Sequence, residues 1–165
     1  MKRKHKILSG IAGIVAALII AGCNPMKKYE EQEQDLINHY ILTLGDTVYS
    51  LKPSGLYYIE LEEGTGRMPI DLDTVFIRYT IKPLNGEIFD SNLDVEDDPF
   101  AFVVGNVGVL LGVNEGVHYM KNGGKAKLVI PSCLGYGTEG AYPVSGYAPL
   151  LVYLELEDVL AGPGK

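Results

Sequence analysis

The residues whose types and spacing could support chemistry lie mainly between positions 79 and 140. Residues 135–140, with the sequence GYGTEG, match the G-x-G-x-x-G pattern of loops that bind dinucleotides. That chemistry needs a helix that begins at the glycines, because the helix N-terminus holds the pyrophosphate. Pro143 and Gly146 follow closely and would break such a helix. The pattern therefore does not predict a nucleotide site.

A calcium loop is a second candidate, since Asp90, Asn92 and Asp94 have the spacing of its first three ligands. Such a loop also needs a glycine at its sixth position and a bidentate acid at its twelfth, where this chain has Val95 and Ala101. A solvated acidic loop is the better interpretation. The histidines share no metal-ligand spacing, and no serine lies in a nucleophile elbow. We therefore expect no metal, no cofactor and no covalent chemistry.

What remains is a series of aromatic and acidic residues in apolar surroundings. Tyr79 lies in an alternating segment, and Asp90 follows the ring of Phe89 after a hairpin signal. Phe100 follows a proline, and Tyr136 stands between two glycines. None of these groups is an activated nucleophile, so a function built on them must depend on the shape and dryness of a pocket.

A sheet is needed to bring these residues together, and the sequence predicts one. Residues 74–82 alternate apolar and polar side chains, with Tyr79 on the apolar face, and Asn85-Gly86 is a strong hairpin signal. Further strands are predicted at 56–62, 87–90, 100–104, 125–130 and 150–159, with a short helix at 109–120 and a glycine-rich loop at 131–148. This order predicts an α+β fold in which a curved antiparallel sheet wraps around a short helix.

The N-terminus has the pattern of a bacterial export signal. Residues 1–6 carry four basic side chains, and residues 7–21 form an apolar run that is too short for a typical membrane span. The following Gly22-Cys23 completes a motif that resembles the lipobox, whose cysteine receives diacylglycerol. We expect a lipoprotein signal peptide at 1–22 and a membrane anchor at Cys23, in an exported bacterial lipoprotein that faces the periplasm. The alternatives are an ordinary signal peptide and a signal anchor with an incidental cysteine.

The charge of the mature chain excludes one class of partner. Removal of residues 1–22 takes away four of the 14 basic residues and none of the 21 acidic ones, which leaves a net charge near −11. Such a surface repels phosphate backbones, so we expect no nucleic-acid partner. Only Cys133 then remains free, and no intrachain disulfide can form. We expect Cys133 to be a buried or half-buried residue rather than a nucleophile, because no His or basic cluster lies near it in the sequence to activate the thiol.

An N-terminal segment, residues 23–53, lies between the anchor and the main predicted domain. Residues 24–28 predict a short tether, and residues 29–44 predict a helix with a partial apolar face that stops at Gly45. The helix fits a spacer, a docking arm or part of a dimer contact, and the sequence does not choose among them. We place the main domain at residues 54–160, after Pro53, followed by a tail at 161–165.

Several short motifs follow one another across residues 54–159. They include Glu63-Gly64-Thr65-Gly66, Phe89-Asp90-Ser91, Gly135-Tyr136-Gly137 and Leu154-Glu155-Leu156. Each motif alone is weak, but in this order and spacing they resemble the FKBP-type peptidyl-prolyl cis-trans isomerases. The resemblance implies the FKBP-like sheet-and-helix fold, a small apolar pocket that holds a proline ring, and a reaction that rotates the X–Pro amide.

The resemblance also implies roles for particular residues. It assigns catalysis to Tyr79, Phe89, Asp90 and Tyr136, and substrate binding to Phe100, Val109, Leu110, Val113, Val144 and Val152. The backbone N–H of Leu110 and the hydroxyl of Tyr136 would hold substrate carbonyl oxygens, while Asp90 would orient its neighbours. The alternative for Tyr79 and Phe100 is packing in the core, and for Asp90 it is a turn cap.

The predicted function is a prolyl isomerase that binds proline-containing polypeptides and assists the folding of exported proteins in the cell envelope. Two departures from the family keep a second hypothesis open. Val113 stands where the family usually has a tryptophan or another large residue, and the loop at 141–146 is altered, with Val144-Ser145-Gly146 in place of the usual Ile-Pro-Pro. A valine covers less apolar area than an indole and leaves a wider pocket. The alternative function is a catalytically weak or inactive binding or chaperone module of an envelope assembly.

Overall fold

The computed structural model describes residues 25–94 and 98–163, so the predicted signal peptide and Cys23 lie outside the described residues. Two α-helices occur in these ranges, α1 at Pro25–Thr43 and α2 at Leu111–Val117. The strands are β1 Ser50–Leu51, β2 Tyr57–Glu62, β3 Thr74–Pro83, β4 Asp90–Ser91, β5 Phe100–Val103, β6 Lys125–Ile130 and β7 Leu150–Leu160. A 3-10 turn at Ser132–Leu134 follows β6.

The strands form one antiparallel sheet in the order β1-β2-β6-β7-β3-β4, with β5 also paired to β3. The two long strands β3 and β7 are neighbours, and all ten residues of β3 have a partner in β7. The alternation predicted for β3 is present, because Val75, Ile77 and Ile81 are buried and Tyr79 packs against the same core. The predicted α+β class, with an antiparallel sheet against a short helix, is confirmed.

Helix α2 packs directly on β6 because it presents two glycines to that strand. A Cβ atom at Gly112 would lie 2.5 Å from Cγ2 of Ile130, and one at Gly116 would lie 2.4 Å from Cδ1 of Leu128. Both partners on β6 are fully buried, so neither has free space to move into. The glycines therefore allow a close approach that fixes the first turn of α2 relative to the sheet.

The helix predicted at 109–120 is shorter in the structure. Leu110 has the extended backbone angles φ −53° and ψ 133°, so α2 begins after it. At the other end, the N–H groups of His118, Tyr119 and Met120 donate to carbonyls three residues back, as in tight 3-10 turns. The prediction was therefore too long at both ends.

The strand predicted at 87–90 is reduced to Asp90 and Ser91 of β4. The turn at Asn85-Gly86 does form, and the N–H of Gly86 donates to the carbonyl of Pro83 at 2.9 Å. Pro83 has no N–H of its own, so it cannot continue a ladder of hydrogen bonds past the turn. Pairing with β3 resumes only where Asp90 lies opposite Ile81.

The N-terminal helix α1 is longer than predicted and packs on the sheet of its own chain. It begins at Pro25, a residue type favoured in the first turn, so most of the predicted tether is helical. Gly45, with φ of 58°, follows its end as predicted. Ile37 is 2% exposed and packs against Ile59 and Val129. The apolar face of α1 therefore covers the side of the sheet opposite α2.

Strand β1 lies before the predicted domain boundary and pairs Ser50 with Tyr58 and Leu51 with Tyr57. The sheet thus includes two residues from the segment assigned to the tether and helix, while the boundary at residue 54 stays a prediction. Among the described residues, no helix combines the length and the apolar character needed to cross a bilayer.

Candidate functional site

A cavity of about 390 Å³ lies between β3, the first turn of α2 and the loop that follows β6. Its walls are largely apolar, with side chains from both sheet and helix. The predicted site residues that line it are Tyr79, Asp90, Phe100, Val109, Leu110, Val113 and Tyr136. The fold therefore brings together side chains that are up to 57 positions apart in the chain.

Tyr79 connects two walls of the cavity. Its ring meets the ring of Phe100 edge to face, with centroids 6.0 Å apart and planes at 76°. Its hydroxyl donates to Oδ2 of Asp90 at 3.1 Å. Phe100 remains 41% exposed, so this wall is accessible from solvent. The contacts orient the Tyr79 ring and hold the Asp90 carboxylate beside the cavity.

Tyr136 also lines the cavity and comes from the loop after β6. Its ring contacts that of Phe89, with centroids 6.2 Å apart and planes at 56°. Phe89 itself does not line the cavity, so its predicted catalytic role stays a prediction. Within residues 25–94 and 98–163 the hydroxyl of Tyr136 donates to no protein group. It is therefore available to a bound molecule.

Leu110 supplies a second available donor. Its carbonyl accepts the N–H groups of Val113 and Asn114 at 3.0 Å each, which begins α2. Its own N–H has no acceptor among the described residues, as is usual for the first N–H groups of a helix. Leu110 and Tyr136, which both line the cavity, thus each carry a donor that has no acceptor among the described residues.

Two of the predicted substrate-binding residues, Val144 and Val152, do not line the cavity. Val152 is fully buried between Ile81 and Leu128, its partners on the neighbouring strands. Val144 is also buried in the core, where its N–H and carbonyl both bond to Ala141 at the base of a tight turn. Both valines belong to the buried core cluster, so their predicted contact with substrate stays a prediction.

Six residues that line the cavity are absent from the predicted site: Ile77, Ile81, Gly108, Leu111, Gly135 and Leu154. The alternation of β3 carried the signal for the first two, because they share the face of Tyr79. Leu154 lies opposite Tyr79 in the register of β3 and β7, which the sequence alone did not supply. The last strand therefore contributes Leu154, two positions beyond the predicted Val152.

Burial and the neighbouring Asp90 carboxylate raise the pKa of Tyr79 to about 12 from its ordinary 10.0. The pKa of Tyr136 is also raised, first by burial and then by the charge of Asp90. Both hydroxyls consequently keep their protons at neutral pH. Tyr136 can therefore act as a hydrogen-bond donor but not as a base.

No group of three or more His, Cys, Asp or Glu side chains is arranged to hold a metal ion within the described part of the chain. Cys133 is exposed, which corrects the expectation of a buried or half-buried residue. Its neighbour Ser132 is 5% exposed, so the 3-10 turn directs the serine inward and the cysteine outward.

Comparison with known proteins agrees with this geometry. The sequence model for the FKBP-type peptidyl-prolyl cis-trans isomerases matches residues 66–157, more than half of the chain. The chain belongs to this family. The matched range contains every lining residue named above, so the resemblance inferred from the motifs is confirmed.

Three known proteins illustrate the similarity. FK506-binding protein 4 of Dictyostelium discoideum is 42% identical over 105 residues, which are 63% of this chain and 28% of that protein. FKBP-type peptidyl-prolyl cis-trans isomerase FkpA of Escherichia coli is 37% identical over 110 residues, 67% of this chain and 40% of that protein. The chain therefore spans less than half the length of these two curated relatives. A crystal structure of a peptidyl-prolyl cis-trans isomerase from Pseudomonas syringae has a TM-score of 0.71 at 28% identity, over 83% of this chain and 97% of that one.

The raised pKa of Tyr79 predicts a specific alkaline titration. Tyr79→Phe should remove one of the last tyrosines to ionise, and Asp90→Asn should move late ionisation to lower pH by removing a negative charge. Tyrosinate absorbance recorded against pH measures both effects. In the double variant the shift from Asp90→Asn should shrink, because only Tyr136 still responds. Superimposable curves for the natural chain and Asp90→Asn would contradict the Tyr79–Asp90 contact.

The raised pKa of Tyr79 also predicts how the free energy of unfolding depends on pH. The pKa of this hydroxyl is 10.0 in the unfolded chain and about 12 in the folded one, so its contribution is complete below pH 10 and is lost as the pH rises toward 12. The free energy of unfolding, measured with denaturant, should fall less steeply over this window in Tyr79→Phe than in the natural chain. An equal slope would contradict the raised pKa.

Proposed function

We propose that this chain catalyses the cis-trans isomerisation of X–Pro peptide bonds in exported polypeptides. The observation that carries the proposal is the apolar cavity with two available donors, the N–H of Leu110 and the hydroxyl of Tyr136. Its volume of about 390 Å³ suits a small apolar group such as a proline ring with its flanking amide. Membership of the isomerase family supports the same activity.

The reaction needs no nucleophile, because no covalent bond is broken. Rotation about the amide must overcome a barrier of about 18–20 kcal/mol that comes from the partial double-bond character of the C–N bond. Without a catalyst, an X–Pro bond isomerises over tens of seconds or longer. A site accelerates the rotation only if it binds the twisted amide more strongly than the planar one.

In the proposed mechanism, the walls and the donors of the cavity favour the twisted amide over the planar one. The rings of Tyr79 and Phe100 and the side chain of Leu154 surround the proline ring and exclude water. Removal of the amide from water weakens the charge-separated resonance form that keeps it planar. Leu110 and Tyr136 hold carbonyl oxygens of the substrate on either side, so the polypeptide is fixed while the amide turns.

The sequence of the N-terminus indicates where in the cell the isomerase works. Residues 1–22 act as a lipoprotein signal peptide and Cys23 carries the lipid, so the isomerase works at a membrane of the cell envelope on proline-containing polypeptides. Only Asn24 separates this cysteine from the start of α1. Because α1 packs on the sheet, the domain is kept close to the membrane instead of at the end of a long tether.

The proposed activity can be tested with the full chain in mild detergent. In an assay without a coupling protease, it should accelerate isomerisation of a short X–Pro peptide above the uncatalysed rate. Tyr136→Phe removes one hydroxyl and should lower kcat/KM by about 2- to 10-fold, the value of one ordinary hydrogen bond. Tyr142→Phe is the matched control, because Tyr142 lies in the same loop, is fully exposed and does not line the cavity.

Two results would contradict the proposal. If Tyr136→Phe and Tyr142→Phe lower kcat/KM equally, the reaction does not depend on the Tyr136 hydroxyl in the cavity. A natural chain without a rate above background, but with retained peptide binding, would favour the binding or chaperone module. Val113, which is 3% exposed and lines the cavity where the family usually has a larger residue, is the feature that favours that second function.

A further prediction concerns the anchor. When the full chain is expressed in a bacterium supplied with a labelled fatty acid, the natural chain should take up label and sediment with membranes. Cys23→Ser should be unlabelled and retain residues 1–22, whereas Cys133→Ser should behave like the natural chain. Processing without label would indicate an ordinary signal peptide, and an unprocessed, unlabelled natural chain would indicate a signal anchor. Either result would overturn the lipoprotein assignment.

A further inference from the structure

Helix α1 contacts the loop that carries Tyr136 as well as the sheet. Glu33, half-buried on α1, accepts the backbone N–H of Ser132 at 2.5 Å with one carboxylate oxygen and the hydroxyl of Ser132 at 2.8 Å with the other. Hydrogen bonds to a carboxylate are stronger than those between neutral groups. One helix turn away, the rings of Tyr29 and Tyr147 stack with centroids 5.3 Å apart and planes at 19°. The helix thus holds the loop at both of its ends.

Hydrogen bonds lead from Ser132 to Tyr136. The carbonyl of Ser132 accepts the N–H of Gly135 at 2.9 Å and that of Gly137 at 2.8 Å, the two residues on either side of Tyr136. The carbonyl of Tyr136 accepts the N–H of Gly140 at 3.1 Å, and the N–H of Tyr147 donates to Gly137 at 3.0 Å. Glycines have the freest backbones in the chain, so these contacts restrict a segment that would otherwise move easily.

We propose that Glu33 is a positioning residue for the isomerase site: through Ser132 it fixes the backbone on both sides of Tyr136 and so places the Tyr136 hydroxyl in the cavity. The inference rests on the proposed isomerase function. It gives α1 a role beyond linking the domain to the membrane, because the segment next to the anchor orders one of the two donors. Glu33 touches no substrate and acts only through the loop.

The chemistry of the contact defines the variants. Glu33→Ala removes both acceptors and leaves the N–H of the largely buried Ser132 without its partner. Glu33→Gln can keep both hydrogen bonds, since its carbonyl accepts the N–H and its amide donates to the serine hydroxyl. Glu30→Ala is the matched control, because Glu30 is an exposed carboxylate on the same helix.

The test measures kcat/KM of the full chain in detergent on an X–Pro peptide, with thermal unfolding of each variant as a check of folding. Because Glu33 acts only through the Tyr136 hydroxyl, Glu33→Ala should lower kcat/KM by no more than Tyr136→Phe does, about 2- to 10-fold. Glu33→Gln should retain most of the activity, and Glu30→Ala all of it. In a Tyr136→Phe background the loss from Glu33→Ala should largely disappear, because the hydroxyl that it positions is gone.

A purely structural role gives a different result. The inference is overturned if Glu33→Ala equals Glu30→Ala, or if its loss is the same with and without the Tyr136 hydroxyl. Hydrogen exchange at the N–H groups of Gly135 and Gly137 tests, independently of activity, whether Glu33 restrains the backbone around Tyr136. Exchange should be faster in Glu33→Ala than in Glu30→Ala, and equal exchange overturns the inference. If the natural chain is inactive but this difference in exchange is observed, the proposed isomerase function is contradicted, while the effect of Glu33 on the loop is supported.

Discussion

The pairing of β3 with β7 determines where the cavity forms, because it sets which side chains share the inner face of the sheet. Tyr79 lies opposite Leu154, and both line the cavity. On the other edge of β3, β4 and β5 pair one after the other, which brings Asp90 to the hydroxyl of Tyr79 and Phe100 to its ring. A slip of one residue in this register would turn Tyr79 to the opposite face and separate the group. The position of the site is therefore a consequence of the register.

The two available donors come from outside this pairing and are held by different means. The N–H of Leu110 is available because α2 begins at the next residue, and the glycines of α2 hold that end of the helix against β6. The hydroxyl of Tyr136 depends on a glycine-rich loop that is tied to Ser132 and, through it, to α1. One donor is thus fixed by the core of the domain and the other by the N-terminal helix α1. A reaction without covalent steps depends on such placement, since the transition state differs from the substrate mainly in shape and charge distribution.

Much of the fold could be predicted because local patterns agree with it. The alternation of β3, the glycine stop after α1 and the Asn85-Gly86 turn all have local physical causes. The missed features depend on distant contacts. Alternation alone places Val129 on the same face as the lysines of β6, yet Val129 is fully buried because α1 covers that face. Likewise, no local pattern connects Glu33 with Ser132, which lies 99 positions later in the chain. The exclusion of Val152 from the cavity required the strand register, which depends on bulges and partners far away in sequence.

The proposed mechanism requires that an X–Pro amide binds between Leu110 and Tyr136. An NMR titration of the nitrogen-15-labelled chain with a short X–Pro peptide tests it most directly, because the N–H of Leu110 reports on its own hydrogen bond. We expect this resonance to move downfield as peptide is added, and the exchange between the cis and trans forms of the peptide to accelerate. Binding between Leu110 and Tyr136 would be contradicted if the Leu110 resonance stays in place while resonances of another surface move. It would also be contradicted if the Leu110 resonance stays in place and the peptide exchanges at its uncatalysed rate.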